Sequence, residues 1–366
     1  MPVDEGTASP QAANSHPLIG HEAAEATLLR AWRSGRFPHA WLISGPRGVG
    51  KATLARKAAR FVLSQSSDGG SQAGGLFGDA PLPPDSLDTD PESSVARRIA
   101  AGGHSDFRLL TKREDKTVIQ IEQTREIVDF SYMTPAEGGW KVILIDSVDD
   151  MNHNSANALL KALEEPPSKA LFLLVSHAPG GLLPTIRSRC RSLKLSGVPK
   201  PGIAALLGEL RPDLSEQERS VLAALGDGSP GRAIHYADQG AVDLYRALVE
   251  LASNAHRLDM SLVMKMGDQL AKKGAEDAFG IMSQMIDQAL QRAIKAAAVR
   301  RPVEDILPGD GAIWARLVMP DQIPRWADAR TEIMGFLDKA GPPAHLGRKH
   351  VLVNAFIRLE QAAQAR

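Results

Sequence analysis

A glycine-rich loop constrains the fold of this chain more than any other stretch. It follows the short apolar run Ala40–Ser44, predicted to be a buried strand, and it opens a helix predicted over about 52–63. Strand, glycine loop and helix in this order are typical of a phosphate-binding loop, in which backbone N–H groups and the helix N-terminus cradle an anion. The loop residues are Gly45, Pro46, Arg47, Gly48, Val49, Gly50 and Lys51.

The loop lacks part of the chemistry of nucleotide hydrolysis. The pattern requires a hydroxyl after the lysine to hold Mg²⁺, and this chain has Ala52 there. The predicted strand 140–146 ends in Asp146, a carboxylate placed to hold Mg²⁺, but Ser147 follows where a glutamate would polarise the attacking water. Asp149 and Asp150 are interpreted as solvated acids at a helix start.

Because both the Mg²⁺ hydroxyl and the base are missing, hydrolysis by this chain is not expected. Two alternatives stay open for the loop itself. It can hold ATP or ADP without hydrolysing it, or it can survive only as a connector between strand and helix.

The amino-terminal half alternates strands with helices, which predicts an α/β layer with a parallel sheet. Further strands are expected at 106–110, 118–121, 140–146 and 170–176, and helices at about 23–34, 123–133 and 155–163. After about residue 196 apolar residues recur with helical spacing, which predicts helices at 200–209, 217–225, 243–255, 261–272, 277–299, 325–339 and 345–363.

These patterns give the expected domain organisation. Residues 1–15 are expected to be a disordered tail, and 16–196 the α/β P-loop domain. Within it, 64–103 is rich in Gly, Ser, Asp and Pro and is predicted to be a flexible insertion with a short helix near 95–100. Two helical domains follow, 197–240 and 241–366.

Composition excludes several classes of protein. The 366 residues carry 43 basic and 43 acidic side chains, so a strongly basic nucleic-acid-binding protein is not indicated. Cys190 is the single cysteine, which rules out an internal disulfide and a cysteine-cluster zinc site. The sequence has no run of 18 apolar residues, so no membrane span is expected. Its amino terminus carries acids and no apolar core, so no signal peptide is expected. A cytoplasmic location is therefore expected.

Two further segments indicate a function only when they are considered together. Residues 157–167, NALLKALEEPP, predict an amphipathic helix stopped by two prolines. Residues 185–190, TIRSRC, contain Ser188, Arg189 and Cys190. An arginine at a subunit edge can neutralise charge on the γ-phosphate in a neighbour's site, although a lone arginine is usually a solvated surface residue.

In combination these segments resemble the bacterial AAA+ clamp-loader subunits. Residues 16–55 and 118–132 are also similar to that family, and the resemblance covers 16–196 without 64–103. In the carboxyl-terminal half only the helix content matches. The incomplete loop and the missing glutamate resemble the delta-prime type of DNA polymerase III subunit rather than the gamma/tau ATPase type.

The resemblance implies an AAA+ domain, a helical lid (197–240) and a collar (241–366) in a heteropentameric ring. Partners would be the gamma/tau ATPase and delta, with the sliding clamp and primer–template DNA reached through the complex. Arg189 would be an arginine finger acting in trans, between motif residues Ser188 and Cys190. Residues 45–51 and Asp146 would form a vestigial nucleotide site within the DNA polymerase III holoenzyme.

The sequence departs from the family in two places. Many members carry a four-cysteine zinc module after the phosphate-loop helix, but 64–103 has no cysteine, so no zinc is expected. Arg232 follows Ser229-Pro230-Gly231, which resembles the lid's sensor segment, yet it lies one residue later than the usual spacing. A helix start opened by Ser-Pro is the alternative interpretation.

Two other functions remain as alternatives. The first is an active AAA+ ATPase, either a loader motor of the gamma/tau type or another remodelling enzyme, which should carry Ser or Thr at 52 and Glu at 147. The second is a direct nucleic-acid-binding module, which the neutral charge and the 5% aromatic content disfavour.

Overall fold

A five-stranded parallel sheet organises the amino-terminal half of the chain. The computed structural model describes residues 16–67, 84–113, 116–341 and 346–365. The strand order is β2-β3-β4-β1-β5, with every pairing parallel. The strands are β1 (Ala40–Ser44), β2 (Phe107–Leu110), β3 (Lys141–Asp146), β4 (Ala170–Ser176) and β5 (Arg191–Lys194).

Helices cover both faces of this sheet. Successive side chains of a strand point to opposite faces, so Trp41 and Ile43 join one apolar cluster while Ala40 and Leu42 join the other. The first cluster includes residues of α1 to α3 and the second includes residues of α4 to α6. The helices are α1 (Glu22–Arg33), α2 (Lys51–Ser67), α3 (Ser94–Ala100), α4 (Ile121–Tyr132), α5 (His153–Glu164) and α6 (Pro184–Arg189).

The predicted parallel sheet is confirmed, but one predicted strand is wrong. Residues 118–121 form only a single bridge, Ile119 to Met151, because helix α4 begins at Ile121. The side chain of Gln123 caps the backbone N–H of Gln120, which fixes this helix start. The apolar Ile119 that suggested a strand is fully buried beneath the sheet's second face.

The segment 64–103 is only partly the insertion that was expected. Helix α2 extends through Ser67, and residues 68–83 lie outside the described residues, as does the tail 1–15. The predicted short helix is confirmed as α3. Leu87, Val95 and Ile99 are buried in the first apolar cluster, so residues 84–103 pack against the domain at these positions, and the flexibility of the insertion stays a prediction.

The second half is built from helices, as predicted. The chain divides into two compact units between Gly202 and Ile203. The division at 240–241 into lid and collar stays a prediction. The helices are α7 (Lys200–Leu210), α8 (Glu216–Leu225), α9 (Pro230–Asp238), α10 (Ala241–Ser253), α11 (Met260–Leu270), α12 (Glu276–Ala298), α13 (Asp310–Leu317), α14 (Ile323–Leu337) and α15 (Arg348–Gln364).

A buried polar group stabilises this second unit. Asp310 is 1% exposed and accepts hydrogen bonds from Tyr245 and Arg292, and its other oxygen accepts the backbone N–H of Ile306 at 2.8 Å. A buried carboxylate needs such partners, because an unpaired charge in the interior is strongly unfavourable. Within the described residues, none of the helices has the length and apolar character needed to cross a membrane.

Candidate phosphate loop and arginine finger

The glycine loop joins the carboxyl end of β1 to helix α2, where the sequence placed it. Gly45 has φ +152°, and a Cβ there would lie 2.4 Å from the carbonyl oxygen of Leu195. Gly50 has φ +107°, and its Cβ would lie 2.9 Å from the side chain of Leu18. Position 45 therefore requires glycine for backbone conformation and for space, and position 50 requires it for backbone conformation.

Lys51 turns back onto its own loop. Its side chain is buried, and Nζ donates hydrogen bonds to the carbonyl oxygens of Gly45 at 2.8 Å and Pro46 at 2.5 Å. Burial lowers the pKa of Lys51 to about 8, although Asp146 and Asp149 oppose that shift. A bound phosphate would have to replace these two carbonyl contacts.

His21 supports the loop from the start of α1, a contact that sequence reasoning missed. Its Nε2 lies 2.7 Å from the carbonyl oxygen of Val49, and the ring is 5% exposed. Because a carbonyl oxygen only accepts, Nε2 carries the proton. The segment His16–His21 before α1 draws attention to His21 in the sequence. Its partner, Val49, lies 28 residues away, so the contact itself could not be predicted.

The acidic residues at the end of β3 and in the turn after it have two different roles. Asp146 ends the strand as predicted, and burial raises the pKa of its carboxyl, opposed by Arg56 and Lys51. Asp149 accepts hydrogen bonds from Ser176 Oγ at 2.9 Å and from the backbone N–H groups of His177 at 2.6 Å and Ala178 at 3.2 Å. Its interpretation as a solvated acid was therefore wrong, because it ties the end of β4 to the turn after β3.

His177 sits in a cationic and partly buried environment. Burial lowers the pKa of His177 to about 4, and Lys51 and Arg47 lower it further while Asp149 opposes them. The imidazole is thus neutral near pH 7. A neutral ring beside two cations lets the end of β4 approach the phosphate loop without adding a third positive charge.

The residues of the loop fit a phosphate but not a complete magnesium site. Ala52 supplies no oxygen, and the Ser147 hydroxyl donates to Asp150 at 3.3 Å. Among the residues described, no cluster of three or more His, Cys, Asp or Glu side chains is arranged to hold a metal ion. Loop amides and Lys51 can meet phosphate oxygens, but the hydroxyl that would position Mg²⁺ is missing.

Arg189 ends helix α6, whose first turn starts at Pro184. Its Nη2 lies 2.7 Å from Oε1 of Glu164, and its Nη1 donates to the carbonyl oxygen of Thr185 at 3.0 Å. Ser188 Oγ donates to the same carbonyl at 3.1 Å. Burial raises the pKa of Cys190 to about 12, so this thiol is neutral and packs as an apolar side chain.

A shallow pocket surrounds Arg189. Helix α5 contributes its carboxyl-terminal residues, and His39 comes from the segment just before β1. His39 is held there because its Nε2 lies 3.1 Å from the carbonyl oxygen of Leu163. The lining residues are His39, Leu163, Glu164, Glu165 and Arg189.

The phosphate loop and Arg189 lie at opposite ends of the sheet. The loop leaves the carboxyl end of β1, whereas Arg189 comes immediately before β5. The two strands are parallel neighbours, with Trp41 opposite Arg191 and Ser44 opposite Lys194. Three residue steps of strand, about 10 Å, therefore separate the two ends.

Arg232 lies in the first turn of helix α9 in the second unit. Ser229 Oγ accepts the backbone N–H of Arg232 at 3.1 Å, and Pro230 occupies the first helical position of α9. The prediction of a helix opened by Ser-Pro is confirmed.

The sheet order and the strand–loop–helix element define the class of protein, a P-loop α/β domain with a parallel sheet followed by a helical carboxyl-terminal part. Residues 20–199 match the family described as "DNA polymerase III, delta subunit". Over these residues the chain is similar to the delta-prime-like clamp-loader subunits of DNA polymerase III.

Individual relatives agree with this family. DNA polymerase III subunit delta' of Pseudomonas aeruginosa is 38% identical over 215 residues, which are 58% of this chain and 60% of that protein. Subunit delta' of Escherichia coli K12 is 30% identical over 209 residues, 57% of each chain. Subunit gamma/tau of Mycobacterium bovis is 28% identical over 281 residues, 74% of this chain and 45% of that protein.

The matches thus span about half to three fifths of the length of these curated relatives. Among solved structures, a DNA polymerase III gamma subunit-related protein from Thermotoga maritima is similar with a TM-score of 0.41. It is 19% identical, and the match covers 92% of this chain and 99% of that one.

Proposed function

We propose that this chain is a non-catalytic subunit of the DNA polymerase III clamp loader and that Arg189 is an arginine finger for a neighbouring ATPase subunit. The observation that carries the proposal is the separation of Arg189 from its own phosphate loop at opposite ends of the sheet. An arginine at that end can serve a nucleotide only when another subunit presents one there.

The chemistry proposed for Arg189 is electrostatic. A guanidinium keeps its charge at all physiological pH values and can meet two phosphate oxygens at once. Its charge would stabilise the γ-phosphate as the bond to it breaks, an effect on the order of 10³ in rate. To do this, Arg189 must exchange Glu164 for phosphate, and both side chains are exposed enough for such an exchange, 34% and 46%.

The chain's own loop is proposed to hold ATP or ADP at most, without hydrolysis. Gly45–Gly50 and Lys51 retain a phosphate cradle, and Asp146 remains at the strand end. Ala52 removes the hydroxyl that Mg²⁺ requires, and Ser147 cannot act as a base. The proposal includes no zinc, because the residues between α2 and β2 contain no cysteine.

The proposed partners are other loader subunits. Matches to delta' and to gamma/tau proteins support association with a gamma/tau ATPase and with delta in a ring of five. In this proposal the helices of 241–366 form the collar that holds the ring, and 197–240 form the lid. The sliding clamp and primer–template DNA would be engaged by the assembled complex.

Steady-state ATP hydrolysis by the purified chain tests whether this chain is non-catalytic, with Lys51→Ala as the control. We expect no turnover above background in either protein. The rival is a motor of the gamma/tau type, which the match over 74% of this chain favours. Turnover that disappears in Lys51→Ala would replace our proposal with that rival.

A further inference from the structure

A second concave site lies at the amino end of the sheet, between α1, β1 and β5. Its lining contains three arginines, two hydroxyl side chains and no acid. The lining residues are Thr27, Arg30, Ala31, Ser34, Arg36, Pro38, Trp41 and Arg191. Because the phosphate loop leaves the carboxyl end of β1, this pocket is separate from the nucleotide site.

The sheet brings the arginines together. Arg191 is the register partner of Trp41 across the parallel β1–β5 pair, so their side chains share the face that α1 covers. Arg30 lies in the last turn of α1, and Arg36 follows two residues after that helix's cap. Three segments distant in sequence thus place guanidinium groups around one pocket.

Within the described residues, the positive charges of Arg36 and Arg191 are not balanced by a partner. Arg36 and Arg191 are exposed, and within the described part of the chain neither guanidinium has an ion-pair or hydrogen-bond partner. Arg33, by contrast, pairs with Asp85 at 2.7 Å. A cation at a helix carboxyl end can be favoured by the helix dipole, which accounts for Arg30 but not for Arg36 or Arg191.

The pocket wall also contains an unsatisfied buried donor. Trp41 is 1% exposed, and its indole N–H has no acceptor among the described residues. The indole nitrogen is itself buried, so the donors that a ligand in the pocket can reach are the guanidinium groups.

The chemistry of the ligand follows from these groups. The buried indole ring leaves no open face on which a base could stack, so the site does not read bases. Three planar guanidinium groups offer only donors, and they match a group that carries several anionic oxygens. We propose that this pocket binds a phosphate group, held by Arg30, Arg36 and Arg191.

Phosphate titration of the ¹⁵N-labelled full chain tests the proposal. The readout is the indole N–H signal of Trp41, assigned with Trp41→Phe, and sodium chloride at equal ionic strength controls for screening. We expect a saturable shift with phosphate only. In Arg36→Gln/Arg191→Gln the affinity should fall roughly tenfold for each guanidinium removed. The matched control Arg257→Gln/Arg316→Gln removes two exposed arginines elsewhere and should leave it unchanged.

A second arm distinguishes the source of the phosphate. A short fluorescein-labelled DNA duplex is titrated with the same proteins and followed by anisotropy. Binding that is weakened only in Arg36→Gln/Arg191→Gln assigns the pocket to a polynucleotide backbone, whereas inorganic phosphate binding alone assigns it to a small phosphate compound. No specific indole shift, an equal shift with acetate, or a shift retained in the double variant would overturn the proposal.

Discussion

Arg189 and Glu164 form an ion pair between the ends of helices α6 and α5, with 2.7 Å between Nη2 and Oε1. The pair joins the two segments that carried the family resemblance, NALLKALEEPP and TIRSRC. Glu164 therefore holds the proposed finger while no phosphate is present.

Glu164→Gln tests whether this carboxylate does more than hold the arginine. An exposed ion pair contributes about 1 kcal/mol or less to stability, so the free energy of unfolding should change little. We expect ATP turnover of the assembled loader to stay within about threefold of wild type, because Glu164 contacts only the resting arginine. A loss comparable to that of an arginine-finger variant would show that Glu164 takes part in the neighbour's site.

Lys51→Met should change how stability depends on pH. Burial holds the pKa of Lys51 near 8 in the folded state, below its usual value of 10.5, so between these values the unfolded state binds more protons. Wild-type stability then rises with pH, and relative to Lys51→Met it should gain on the order of 1 kcal/mol from about pH 7 to about pH 9. Denaturant unfolding measures this, with the exposed Lys161→Met as control; a pH-independent difference would contradict it.

His177→Gln should reduce sensitivity to acid. The folded pKa of His177 is about 4 against a usual 6.5, so the unfolded state takes up the proton first as the pH falls. Wild type should lose about 2 kcal/mol relative to the variant between about pH 7 and about pH 5. His153→Gln removes an exposed histidine of the same unit as a control. If both variants retain the full acid sensitivity, the environment described for His177 is wrong.

The buried parts of the fold could be predicted from the sequence. Strands β1 and β4 begin and end where the apolar runs do, because a strand covered on both faces needs apolar residues throughout. Strand β5 and helix α6 were missed. Only Leu193 of β5 is buried, so this edge strand carries almost no apolar signal, and α6 has six residues.

The candidate site was predictable in its residues but not in its contacts. The glycines and Lys51 follow from a local pattern, and so does the loss of the hydroxyl at Ala52. The return of Lys51 to Gly45, the support from His21 and the pairing of Arg189 with Glu164 depend on how distant segments pack. Nothing in local spacing specifies them.

ATP turnover by the assembled loader containing Arg189→Ala tests the central claim most directly. Arg187→Ala, which removes an exposed arginine of the same helix, is the matched control, and size-exclusion chromatography confirms that both variants assemble. We predict that Arg189→Ala lowers turnover on the order of 10³-fold while Arg187→Ala leaves it near wild type. Normal turnover by a fully assembled Arg189→Ala loader would contradict the account.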